Sequence, residues 1–231
     1  MDNRFFLYTT YLILVTLFCS PNQLWSQAQP QVNPFEVGLV LGVNAAQISG
    51  DPYQGYRKWG LQSGVEGRAY LGKNKMLSGG ALFSQLGSFP SSTERKRDNN
   101  NYLDFRLSYV EIPIVFHFLS RPRVDYYSLD LHLGFSLGRL LSSRIVGTQT
   151  FPNSGPTDLP VIFEVVDLQE RFNDYSFNFI LGISKQIHPN WGFTLRHNLA
   201  INTFFEPSEL EEGLDALQSF YFNLSVNYYL R

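Results

Sequence analysis

Along most of the chain, apolar and polar residues alternate one for one. In an extended strand that puts them on opposite faces. The strongest case sets Tyr127, Leu129, Leu131, Leu133, Phe135 and Leu137 against Ser128, Asp130, His132, Gly134, Ser136 and Gly138. The last segment repeats it, with Phe220, Phe222, Leu224, Val226, Tyr228 and Leu230 opposed to Tyr221, Asn223, Ser225, Asn227 and Tyr229. A third runs from Trp191 to Asn202, with His197 interrupting the apolar face. Alternation with less contrast marks Phe35–Asn44, Trp59–Arg68 and Tyr175–Ser184, and β-compatible composition between turns marks Met76–Leu86. In Tyr102–Leu119 the apolar parity switches from Leu103, Phe105 and Leu107 to Ile112, Ile114, Phe116 and Phe118, for which a bulge near Tyr109–Pro113 is the expected cause. The pattern predicts eight strands.

Connections sort into two kinds that alternate. Residues 72–75, 120–125 and 188–190 are short and turn-rich, whereas 47–57, 87–101, 146–174 and 205–218 are long and polar. Short turns on one side and long loops on the other are the layout of an all-β, eight-stranded antiparallel up-and-down transmembrane β-barrel, with both termini on the periplasmic side. A soluble barrel would show the same alternation with its apolar face inward. The Gly-, Ser- and Asn-rich minority face suits a narrow lumen better than a water-facing surface. Aromatics at strand ends, Trp59, Tyr70, Tyr126, Tyr127, Tyr175, Trp191, Phe220, Tyr228 and Tyr229, fit interfacial girdles.

Composition agrees with that environment. Only 16% of the 231 residues are charged while 16% are aromatic, which excludes a disordered chain or a coiled coil. The order of Arg4, the apolar Phe5–Phe18 stretch and Ser26-Gln27-Ala28 predicts a signal peptide over 1–28, leaving 29–231 as the barrel domain. The single cysteine, Cys19, falls inside that leader, so the exported domain has neither disulfides nor thiolate metal ligands. A net charge of −2 gives no reason to expect nucleic acid.

Several stretches resemble a known family. These are Phe35–Asn44 followed by Gly50-Asp51, the Trp59–Gly64 entry to the second strand, Ala81–Gly87, the Tyr109-x-Glu111-x-Pro113 stretch and the Gly-rich Gly134–Gly138. Together they are similar to the PorT-like outer-membrane β-barrel domain of Bacteroidetes. The resemblance implies an eight-stranded protein of the Gram-negative outer membrane and, through the family's name-giving member, a link to secretion.

Candidate chemistry gathers on the face assigned to the lumen, where Glu66, Arg68, Glu111, Asp130, His132 and Arg196 fall. Charges inside so narrow a barrel must pair or meet water. They predict a salt-bridged plug, or alternatively a small gated pore. No strand brings a nucleophile, a base and an orienting group together, and His197 falls on the lipid-facing parity, so no enzyme activity is expected. The acidic loops 146–174 and 205–218 lack compact oxygen-ligand spacing, and no metal or cofactor is expected. A short helix over Glu209–Leu217, capped by Ser208, and a solvated tip at Glu94–Asp98 complete the loops. The apolar Val161-Ile162-Phe163 and Val165-Val166 suggest a strand extension, a fold-back over the mouth or a protein partner, while membrane lipid is the partner the barrel itself requires.

Overall fold

The computed structural model describes residues 34–51, 53, 55–72, 74–97, 101–122, 127–150, 160–164, 172–205 and 217–230. The expected signal peptide, the second half of the apolar loop stretch at 165–166 and nearly all of the helix predicted over Glu209–Leu217 lie outside them. The strands are β1 (Phe35–Ser49), β2 (Lys58–Tyr70), β3 (Lys75–Ser88), β4 (Tyr102–Pro122), β5 (Tyr127–Thr150), β6 (Pro160–Glu164), β7 (Tyr175–Gln186), β8 (Trp191–Ala200) and β9 (Gln218–Leu230). Eight of them close a ring in the order β1, β2, β3, β4, β5, β7, β8, β9, every pair antiparallel. Closure leaves no sheet edge to meet hydrocarbon, where each unpaired backbone group would cost several kcal/mol. The ninth strand, β6, stands outside the ring and pairs with Val146–Thr150, the part of β5 that rises beyond β7. That pairing accounts for Val161-Ile162-Phe163 as a strand extension.

Facing settles which solvent the apolar rows meet. Leu39, Leu41, Val65, Ile112, Ile114, Leu131, Phe135, Leu195 and Leu224 all point outward and are exposed, Ile114 to 61%. Their strands span the ~9–11 residues of a tilted crossing. A soluble barrel, with these rows inward, is thereby excluded. Trp191 packs on Tyr228 at the short-turn end, ring centroids 4.8 Å apart, and Trp59 and Tyr175 stay exposed toward the long loops. Tyr70 and Tyr229 depart from the girdle expectation, since both point inward, Tyr70 to Glu36 and Tyr229 against Arg68.

The parity switch in β4 has a different cause from the one expected. Phe105, Leu107, Tyr109, Glu111, Val115, His117 and Leu119 are all buried, so β4 keeps one facing along its length. What changes is the solvent outside. Above the apolar belt the barrel interior becomes a conventional core of Ala46, Ile48, Leu86, Phe105, Leu107 and Ile145, closed by Phe172, Phe204, Phe205 and Leu217 from the long-loop end. The bulge lies on the partner strand instead. Register slips between Ser108, opposite Ser142, and Tyr109, opposite Leu140, leaving Leu141 as the extra residue of β5.

Within the Glu94–Asp98 tip, of which Asp98 lies outside the described residues, the chain is helical and not an open loop. Ser92–Arg97 forms one helix, α1, started by a reciprocal cap: Ser91 Oγ accepts from the Glu94 N–H at 3.1 Å, and Glu94 Oε2 accepts from the Ser91 N–H at 2.6 Å. Glu94 further pairs with Arg57 at 3.0 Å, tying the first and second long loops together.

Candidate functional site: the polar network of the lumen

Period two in eight strands sends every second side chain into a space that only side chains can fill. Near the short-turn end that space is polar. Glu66 of β2 is 1% exposed and accepts from Arg196 of β8 at 2.6 Å and from Arg68, two residues along β2, at 3.3 Å. The Arg68 guanidinium lies 3.7 Å from the centre of the Tyr229 ring, a cation–π contact strengthened by burial. Toward the rim, Tyr70 donates to Glu36 at 3.1 Å.

A second cluster spans β3, β4 and β5. His117 and His132 face each other as direct cross-strand partners, and Asp130 lies two residues from His132 on the same face. One oxygen, Asp130 Oδ1, lies 2.9 Å from His117 Nδ1 and 2.8 Å from His132 Nδ1. Ser78 Oγ lies 2.9 Å from His117 Nε2. Gly182 sits opposite His132 on β7, and a Cβ there would collide with His132 Nε2, so the glycine makes room for the imidazole.

Higher in the lumen, neutral groups take over. Tyr221 directs its hydroxyl at both oxygens of Glu111, at 2.8 and 2.7 Å. Gln62 donates to Ser84 at 2.9 Å, Asn223 to Asn44 at 2.9 Å and Asn178 to Ser136 at 3.3 Å, and nearer the short-turn end Asn227 donates to Thr194 at 2.6 Å.

All six residues that the pattern assigned to the lumen are buried inside the ring. Glu66, Arg68 and Arg196 meet directly, and Asp130 meets His132. Glu111 stands apart, held by Tyr221. Sequence reasoning passed over His117, Ser78, Glu36, Tyr221 and Tyr229. For His117 the signal was its inward parity shared with Glu111 on β4, and for Glu36, Tyr221 and Tyr229 it was a place on the polar face of their own strands; Ser78 lies in the segment marked only by composition and turns. His117 was hidden between Phe116 and Phe118, whose outward facing drew the attention.

Ser78, His117 and Asp130 follow one another at the distances of a nucleophile, a base and its orienter. Access is what separates them from a hydrolase site. Ser78 is 2% exposed and His117 0%, and Met76, Leu119 and Tyr70 close over them at the short-turn end. His197 lies on the outer face as expected, stacked 4.1 Å from Phe222 with Tyr56 Oη at 3.1 Å from its Nε2.

Solved structures with a similar chain path are outer-membrane barrels. Ail of Yersinia pestis matches at 14% identity and a TM-score of 0.46, over 84% of this chain and 98% of its own. Neisserial surface protein A matches at 12% identity and 0.46, over 85% and 97%. The N-terminal barrel of Pseudomonas aeruginosa OprF matches at 10% identity and 0.37, over 88% and 100%. No curated protein sequence matches the chain. The model of the outer membrane protein beta-barrel domain, however, matches residues 25–206, well over half of the chain, and together with the closed ring and its exposed apolar belt this makes the protein a member of that outer-membrane family.

Proposed function

We propose that this is a closed, non-enzymatic barrel of the PorT-like type, a structural or secretion-associated component of the outer membrane. Residues 1–28 are removed on export, and both chain termini face the periplasm with the short turns, so the long loops are external. One observation supports a closed barrel: between Glu66 and Glu111 the lumen holds buried, hydrogen-bonded polar side chains, and above them an apolar core. A solute path would have to break buried ion pairs and displace Phe105, Leu107 and Tyr109. Rigidity of this kind suits a platform for its loops. Among them, 146–174 is the proposed protein contact, because β6 ends the sheet with one edge unpaired among the described strands, and an unpaired edge is a template for a partner strand.

Planar-bilayer recording of the refolded mature protein tests closure. No stable unitary current is expected. Steady currents abolished by Glu111→Gln or Arg196→Met would replace the plug with a gated pore. For the secretion role, a deletion strain is expected to retain undelivered cargo in its periplasm, and normal export would sink that part.

A further inference from the structure

We propose that His117, Asp130 and His132 form a binding site for one divalent transition-metal ion of the zinc class. Two imidazoles and a carboxylate are the donor set that borderline ions such as Zn²⁺ and Co²⁺ prefer, whereas Mg²⁺ and Ca²⁺ want oxygen ligands only. The three residues sit on adjacent strands, β4 and β5, each locked on its far side by a further ladder, so the donors are preorganised by backbone pairing. Their candidate ligand atoms all lie within 4.8 Å of one another. Tetrahedral ligands ~2.0–2.2 Å from zinc are ~3.3–3.6 Å apart, so closing on an ion takes side-chain shifts of about an ångström.

The hydrogen bonds show how the site would change on loading. A carboxylate only accepts, so Asp130 Oδ1 holds both imidazoles with their protons on Nδ1. Coordination through the two Nδ1 atoms moves each proton to Nε2 of the same ring, with no net proton gained or lost. On His117 that Nε2–H then donates to Ser78 Oγ, the outer-shell bond that fixes the tautomer of a metal-bound imidazole. His132 Nε2 is buried without a hydrogen-bond partner, so on loading the proton it receives stays unpaired, a cost that the bond from Nδ1 to the ion has to exceed.

Charge around the site is balanced: Glu66 and Asp130 set two carboxylates against the two guanidiniums of Arg68 and Arg196, while Glu111 stands apart with Tyr221. Both guanidiniums face the site, but each is engaged by Glu66, which offsets their repulsion of a cation. Burial beneath Met76 and Leu119 bars an acyl substrate from Ser78, so an ion would be taken up as the barrel closes, with the side-chain shifts given above. The inference does not depend on the proposed secretion role.

The test is metal content. The mature protein is refolded in detergent with Zn²⁺ or Co²⁺ and passed over a chelating resin, its folding checked by heat-modifiable gel mobility. Elemental analysis is expected to find about one ion per chain. His132→Gln and Asp130→Asn are expected to lower retention at least ~10-fold, as loss of a ligand does, while His188→Gln, in an exposed turn, leaves it unchanged. Folded wild-type protein holding no metal, or His132→Gln holding as much as wild type, overturns the site. Should the variants not fold, the Co²⁺ spectrum of the wild type decides. Intense visible bands of low-coordinate, imidazole-ligated cobalt support it, and the weak spectrum of six oxygen ligands overturns it.

Discussion

At the scale of single residues, burial decides how much each charge matters. Glu66 is surrounded by protein and shares its two oxygens between Arg68 and Arg196. Removing one partner strands charge in a medium that cannot solvate it, which typically costs ~3–5 kcal/mol. Arg196→Met is therefore expected to lower the urea midpoint of the vesicle-reconstituted protein strongly, and Arg196→Lys less, because an ammonium reaches Glu66 as a point charge without a guanidinium's planar fork. Equal midpoints for all three would show that water reaches the pair. Asp51, in the first long loop, behaves oppositely. Burial raises its carboxyl pKa from 3.8 to about 6, with a smaller push from Glu94, against hydrogen bonds from Ser88 and the Tyr53 N–H. A folded pKa above the unfolded value means that the folded loop favours the neutral acid. Its packing is strengthened as pH falls from 7 through 6 toward 4 and weakened above 6. Part of the group meets solvent, so the effect is discounted to the order of 1 kcal/mol. Amide exchange at Gly55, whose N–H donates to Gln47 within the same loop and not to Asp51, is expected to slow between pH 7.5 and 5 after correction for intrinsic rates, and Asp51→Asn to abolish that difference. A pH-independent protection factor in the wild type would refute it.

Among secondary-structure elements, β4 and β5 show what alternation can and cannot reveal. Inward facing of Glu66, Glu111, Asp130 and Arg196 was legible because a strand has only two faces. Which of them touch was not, because contact depends on the register between strands: His117 meets His132 only through the β4–β5 pairing. The switch of apolar parity in β4 was legible as well, but one sequence cannot tell a strand that turns over from a constant strand whose outer solvent changes. The bulge at Leu141 left no mark, since an extra outward residue between Leu140 and Ser142 reads as a pause in the pattern. Deletion separates these cases. Without Leu141, Leu140, Ser143 and Ile145 still alternate inward, and a heat-modifiable barrel is expected. Removing Leu133 from the regular part of β5 flips Asp130 and His132 toward lipid, and no heat-modifiable species should form. If both deletions fold alike, register in β5 is not what holds the network.

For the whole molecule, the arrangement amounts to two proteins stacked in one sheet. The lower ring is a membrane barrel, apolar outside and polar within; the upper ring is a water-soluble barrel, with Arg106, Ser142 and Arg144 outside and Phe105, Leu107 and Ile145 within. One continuous ladder serves both, because backbone pairing is indifferent to which face is greasy. The same substitution must then have different costs at different heights. Ile114→Arg puts a charge where acyl chains lie and is expected to destabilise by ~2–4 kcal/mol. Ser142→Arg, outward but above the belt, should stay within ~0.5 kcal/mol. Phe105→Ala, inward at that upper level, should cost ~3–5 kcal/mol as in any packed core. Urea unfolding in phospholipid vesicles measures all three. Moving the protein from vesicles to a shorter-chain detergent should shrink the Ile114→Arg penalty while leaving that of Phe105→Ala in place, because only the first is set by the solvent outside. If the two penalties fall together, the upper ring is immersed as well, and the division of the barrel between lipid and water is wrong.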